Sequence, residues 1–162
     1  MEKIIDKLSN YHIVNYIVPG YIFTKVLAYL LDLKIGNFTD IIIVSYFVGI
    51  VISRISSLLM EKVLYKIFKI KSQPYSLYIN ASKKDSKIET LTQDLNMYRS
   101  FFSAFVTLSI ILILKKIYLL LKIDKTLVMW LLLISLSILF AFSYVKQVKF
   151  IIERVKNANE DN

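Results

Sequence analysis

Four apolar runs, each long enough to cross a bilayer, constrain this chain more than any other feature of it. A hydrocarbon core of about 30 Å takes about 17 to 25 residues of helix at 1.5 Å per residue. Runs of that length fall at 11–33, 41–60, 98–121 and 127–145. The second reads IIIVSYFVGIVISRISSLLM and carries Arg54 as its one charge, and the fourth carries none. The first holds Pro19, Gly20 and Lys25, and the third reaches residue 121 only if Lys115 and Lys116 snorkel toward headgroups. A soluble helical bundle would interrupt such runs with polar residues at every third or fourth position, and these are not so interrupted. The predicted fold class is therefore all-α, an integral membrane bundle of about four transmembrane helices with cytoplasmic helical extensions.

With 56% hydrophobic residues in 162, the chain has too little polar surface to cover a soluble core. Three glycines and two prolines leave few breakers and favour long helices. The organisation that follows is a transmembrane region over 1–145, interrupted by a cytoplasmic hairpin at 61–97 and followed by a cytoplasmic tail at 146–162. The absence of cysteine excludes disulfides, thiolate metal sites and cysteine nucleophiles. The opening MEKIIDKLSNYHI lacks a small-residue cleavage pattern, so the first apolar run is expected to stay as a span.

Lysine and arginine set the orientation, because basic flanks resist translocation. With both termini in the cytoplasm, that side receives thirteen of the 21 basic residues. They are Lys3, Lys7, Lys62, Lys66, Lys69, Lys71, Lys83, Lys84, Lys87, Lys146, Lys149, Arg154 and Lys156. Five fall on the other side, and Lys25, Arg54 and Arg99 lie within or at the edge of spans. The discordant piece is KKIYLLLKIDK between the third and fourth spans, whose four lysines would prefer the cytoplasm. The net charge of +9 points to anionic headgroups, nucleic acid or an acidic partner.

The stretch 61–97 is polar yet patterned. Val63, Leu64, Ile67 and Phe68 recur at helical spacing between Lys62, Lys66 and Lys69, which predicts that the second span continues as an amphipathic helix to about Ser72, Gln73 and Pro74. After a YSLYIN linker, Ser82 is the expected N-cap, and Ile88, Leu91 and Leu95 form a stripe leading into the third span. Together with Lys83, Lys84 and Lys87, this basic surface suits either an anionic leaflet or a cytoplasmic protein partner. Val145, Val148, Ile152 and Val155 predict a similar inward extension of the fourth helix, and three extensions can pack as a small cytoplasmic bundle.

Within the spans, small residues mark helix contacts, since only close backbone approach competes with lipid. Ser45, Gly49, Ser53 and Ser57 recur every four positions on the second span. Ser100, Ser103, Ala104 and Thr107 repeat the theme in the third, and Ser137 and Ala141 in the fourth. Charge inside the bilayer is costly, about 2.5 to 3.5 kcal/mol on insertion scales, so Arg54 and Lys25 are candidate functional residues as well as candidates for snorkelling. Arg54 has Glu61 or Asp94 as expected partners, and Lys25 has Asp32 or Asp40. Pro19 and Gly20 predict a kink, which is either static or a gating hinge.

The search for chemistry returns absences. His12 is the only histidine, so no zinc set is expected, and no GxSxG, HExxH, Walker or GxGxxG pattern occurs. The aromatics Tyr11, Tyr16, Tyr65, Tyr98, Tyr118, Trp130 and Tyr144 fall near span ends, as an interfacial belt requires. No enzymatic activity and no cofactor are expected.

The segments VPGYIF, VISRISSLLMEKVLYK, ASKKDSKIETLTQDLNMYRS and FSYVKQVKFIIERV together resemble small uncharacterised four-span bacterial inner-membrane proteins. The resemblance implies a multi-pass protein of the bacterial cytoplasmic membrane, in a setting of anti-phage or mobile loci. The expected function is a non-enzymatic homo-oligomer that forms a pore or perturbs the membrane, with Arg54 and the second-span small-residue face at its centre. The alternatives are an anchor or sensor subunit docking a cytoplasmic enzyme and, less favoured, a small-solute transporter. Expected partners are membrane lipids with anionic headgroups, further copies of the chain and a cytoplasmic protein, with nucleic acid or a nucleotide signal left open.

Overall fold

Among the described residues there are five helices, four of them long and apolar enough to cross a membrane. The computed structural model describes residues 13–34, 36–71, 74–121 and 124–160, so the expectations placed on Tyr11, His12, Lys3, Lys7, Ser72, Gln73 and Lys122 lie outside the described residues. The helices are α1 (Ile13–Leu31), α2 (Phe38–Ile67), α3 (Tyr75–Lys84), α4 (Lys87–Leu121) and α5 (Lys125–Glu160). The third and fourth spans are thus each the apolar part of one unbroken helix about 50 Å long. The lysines between them interrupt neither.

Local chemistry explains the boundaries. α1 ends where Asp32 turns into the left-handed region at φ 53°, with Leu33 N–H reaching the Ala28 carbonyl at 2.9 Å. α2 ends in the same way at Lys69, φ 52°, with Ile70 N–H on the Tyr65 carbonyl at 2.9 Å. Both are Schellman endings in which the reversed residue is not glycine. At the start of α2 the Asp40 carboxylate accepts the Asn37 N–H at 3.1 Å, and Asp124 accepts the Leu127 N–H at 3.2 Å at the start of α5.

Two readings of the hairpin are corrected. The YSLYIN stretch is not a linker but the first part of α3, entered through Pro74. Ser82 is not an N-cap: it lies inside α3 and donates its hydroxyl to the Ile79 carbonyl at 2.9 Å. The cap belongs to Asp85, whose carboxylate accepts the Lys87 N–H at 2.9 Å as α4 begins. Serine is a good capping residue, but the aspartate three positions after Ser82 is the one that supplies the acceptor.

The first three spans form the packed core. Phe23 of α1, Ile52 of α2 and Ala104 and Leu108 of α4 are buried together, with Leu27, Val48 and Ile111 around them. The approach of α1 to α2 is closest at two glycines. A Cβ on Gly20 would fall 1.9 Å from the Ser45 carbonyl oxygen, and one on Gly49 would fall 1.9 Å from that of Tyr16. Tyr16 and Tyr46 meet edge to face beside this crossing, their ring centres 6.3 Å apart. At the far end of the core Lys115 of α4 donates to the Leu30 carbonyl at 3.2 Å. One of the discordant lysines therefore sits at the negative end of α1's helix dipole, where a cation is stabilised.

α5 is attached differently. Along residues 125–142 it is almost uncovered by the rest of the chain, and its buried residue is Ser143. Near that point it meets α2, and beyond it meets α3, where the Tyr75 and Phe150 rings lie 4.7 Å apart. Ile79 of α3 is buried between the extended ends of the long helices.

Candidate functional site

The α2 helix changes register before it leaves the apolar zone. Over Ser56–Met60 it is π-helical, and the Glu61 N–H reaches back to the Ser56 carbonyl, five residues rather than four. In α register that N–H would serve the Ser57 carbonyl. Instead the Ser57 carbonyl accepts the Lys146 ammonium of α5 at 2.8 Å, and the Ser57 hydroxyl accepts it as well, at 2.8 Å. The third donor of Lys146 goes to Glu61 Oε2 at 3.1 Å, so all three of its protons are used across one helix contact. A second π-helical turn, Ile13–Ile17, precedes Pro19, which withholds the N–H that an α register would need at that point.

Glu61 Oε2 also takes Arg99 of α4 at 2.7 Å, while the other arm of that guanidinium donates to Asn96 Oδ1 at 2.9 Å. Three spans are therefore tied through one carboxylate oxygen. The side chains are about a fifth to a third exposed, at 17% for Arg99, 26% for Glu61 and 30% for Lys146. Arg99 Nε is buried without a partner among the described residues, and so is the hydroxyl of Ser56. Two cations face one anion, which leaves a net positive site. Charges at this depth are tolerated because each is paired and hydrogen-bonded. The arrangement can hold α2, α4 and α5 in one relative register and present excess positive charge to a competing anion.

The sequence-predicted residues divide around this site. Ser45 and Gly49 are buried, but against α1, and the buried stripe continues through Ile52 and Ser56 rather than Ser53 and Ser57. Ser57 faces α5 instead. Ser100, Ser103 and Ala104 are buried as expected, with the Ser103 hydroxyl directed at the Ile52 carbonyl at 3.5 Å, whereas Ser137 and Ala141 are exposed. Arg54, one turn before Ser57, is half-buried and pairs with neither Glu61 nor Asp94 among the described residues. Glu61 is committed to Arg99 and Lys146. Lys25 is exposed and lies over the Tyr21 ring at 5.8 Å rather than on Asp32 or Asp40. Pro19 and Gly20 are both buried at the α1–α2 crossing. Lys62, Lys66, Lys69, Lys83, Lys84 and Lys87 are all exposed along the basic extensions.

Sequence reasoning missed the ion cluster itself. The signal was present: Glu61, Arg99 and Lys146 each fall within one residue of the edge of a predicted span, so all three lie at one depth at the same end of the bundle. Tyr98 and Tyr144, exposed beside them, mark that level as an aromatic belt. Twenty residues separate Tyr98 from Tyr118 on α4, about 30 Å of helix, which matches the hydrocarbon thickness. No protein-family model matches the chain, and no match was found among curated proteins or solved structures.

Proposed function

We propose that this is a non-enzymatic bacterial inner-membrane protein that self-associates and perturbs the membrane, as a pore-forming effector in anti-phage defence would. Both termini and the α3 region face the cytoplasm in this reading, which the charge distribution supports. The observation that carries it is the bare fourth span. Of the most apolar part of α5 only 6% is buried within the chain, against 33% for α1. A span that its own chain leaves uncovered supports contact with further copies or lipid. Because Ser45 and Gly49 are taken up by α1, the self-association surface moves from the second span to α5, with Arg54 available near its inner end.

Membrane potential reported by a dye on overexpression tests this. The wild type is expected to depolarise cells, and Arg54→Leu to weaken the effect. Unchanged potential with both would count against the proposal. Orientation is tested separately, and the lack of native cysteine makes the probe clean. In Ser86→Cys the thiol should be labelled by a membrane-impermeant maleimide only after the cell is opened, and in Lys34→Cys it should react in intact cells. The opposite pattern would invert the topology.

A second reading, an anchor or sensor subunit for a cytoplasmic enzyme, is favoured by Leu77, Leu91 and Leu95. These are exposed on α3 and on the part of α4 beyond the ion cluster, where lipid tails do not reach. Crosslinking that recovers no soluble protein dependent on residues 61–97 would remove its support.

A further inference from the structure

Val145, Val148, Ile152 and Val155 recur along α5 at steps of three and four. Val145, Ile152 and Val155 are exposed and Val148 is half-buried, although the same helix is held against the chain on another side. That side carries Ser143, which is buried, Lys146, which reaches Ser57 and Glu61, and Phe150, whose ring lies 4.7 Å from that of Tyr75. At 100° per residue, Phe150 lies about 170° round the axis from the middle of the valine and isoleucine stripe. The stripe therefore points directly away from α2 and α3.

Lipid does not account for all of it. Val155 is nine residues past Lys146, about 13 Å of helix beyond the hydrocarbon edge. The headgroup layer on one side of a bilayer is roughly 5 to 8 Å thick, so the end of the stripe stands in water. α5 runs unbroken through this level and does not fold back onto the leaflet. Toward the bilayer the same steps continue through Ala141, Ile138, Ile134, Leu131 and Leu127, all exposed. Inside the membrane the other positions are apolar too, but past Lys146 the repeat stands out among Lys149, Glu153 and Arg154.

A seven-residue apolar repeat is what a coiled coil requires, and copies inserted in the same orientation bring identical stripes together, parallel and in register. That register sets Lys149 of one copy against Tyr144 of the next, with the ammonium over a ring rather than facing another lysine. Val and Ile occupy both core positions of the repeat beyond residue 144, a choice that favours three or four strands over two. We propose that α5 forms a parallel coiled coil with the α5 helices of at least two further copies of this chain, in contact along 127–155. A strict period of seven drifts by about 20° per heptad against a straight helix, so the assembly winds with a left-handed supercoil. The proposal deepens the self-association put forward above by assigning its face, register and strand number, and rests on that reading for taking copies of the chain as the occupants.

The test is crosslinking of the full chain in isolated membranes by a short bismaleimide, which the absence of native cysteine makes specific. Ile152→Cys is expected to link copies at least about fivefold more than Glu153→Cys, its equally exposed neighbour off the stripe. A chain carrying both Val148→Cys and Val155→Cys has two thiols and should give a ladder reaching three or four copies. Adding Ile152→Glu to it places like charges in the shared core and should cut linking about tenfold. Gln147→Glu adds the same charge off the stripe and should leave linking unchanged. Circular dichroism checks that the helices persist, as expected for a side chain its own chain leaves exposed. Equal linking at Ile152→Cys and Glu153→Cys, a ladder that stops at two, links to a different protein, or an equal loss with Gln147→Glu overturns the proposal. A chain that depolarises cells without linking on this stripe keeps the effector reading and loses this one, and a chain that links without depolarising does the reverse.

Discussion

Replacing Glu61 with leucine is expected to destabilise the folded chain by roughly 2 to 4 kcal/mol, measured by unfolding in mixed detergent micelles. The carboxylate is the shared acceptor for Arg99 at 2.7 Å and Lys146 at 3.1 Å, so its loss leaves two like charges facing each other at the hydrocarbon edge. Removing one member of a buried ion group costs about 3 to 5 kcal/mol, and partial exposure here lowers the figure. A double-mutant cycle isolates the cause. In a Lys146→Met background the same Glu61→Leu change should cost less than half as much, since one uncompensated cation has gone with it. Costs that simply add would show that the oxygen is not shared in the way the geometry implies.

An effect of similar size is expected at the α1–α2 crossing. A Cβ on Gly49 would meet the oxygen, carbonyl carbon and Cα of Tyr16 at 1.9, 2.6 and 3.0 Å, all of them backbone atoms. No side-chain rotation relieves that contact, so the helices must separate. Gly49→Ala gains about 1 kcal/mol of helix propensity, yet overpacking of this kind costs roughly 1 to 3 kcal/mol or more, and the separation also opens the core beside Ile52. The expected net loss is about 2 kcal/mol, and Gly20→Ala should behave alike. Gly36→Ala is the control, because its Cβ would meet the far end of the Asp40 side chain, which can swing aside at a cost of about 1 kcal/mol from the helix start. Equal stability for Gly49→Ala and the wild type would sink the close crossing.

How much of this was legible depends on the kind of signal involved. The spans were readable because lipid imposes one requirement on every residue of a run, and twenty apolar residues announce themselves. The buried positions Ser100, Ser103 and Ala104 followed from the same logic, since small residues in lipid have few other uses. The partners of each charge were not readable. Spacing along an ideal helix offers Arg54 the carboxylate of Glu61, with Asp94 as the alternative, but the register change over Ser56–Met60 redirects α2, and sequence periodicity carries no mark of a π turn. The shift from Ser53 and Ser57 to Ile52 and Ser56 on the buried stripe has a different cause: a strict step of four overruns the 3.6-residue α period before the π turn begins. α3 was hidden for a different reason. Its ten residues average near-neutral polarity, and its helix depends on the Tyr75–Phe150 contact with a segment distant in sequence. Short helices are marginal without such packing.

The π turn in α2 amounts to one supernumerary residue held within an otherwise regular rod. Were the same residues wound in regular α register, the rod and its greasy exterior would stay, yet everything downstream would turn by about 100° about the axis. Glu61 would then swing away from Arg99 and Lys146 without itself being altered. The meeting of three spans at one oxygen is thus a matter of phase as much as of composition, and a one-codon insertion beside Glu61 would undo what many conservative substitutions would spare.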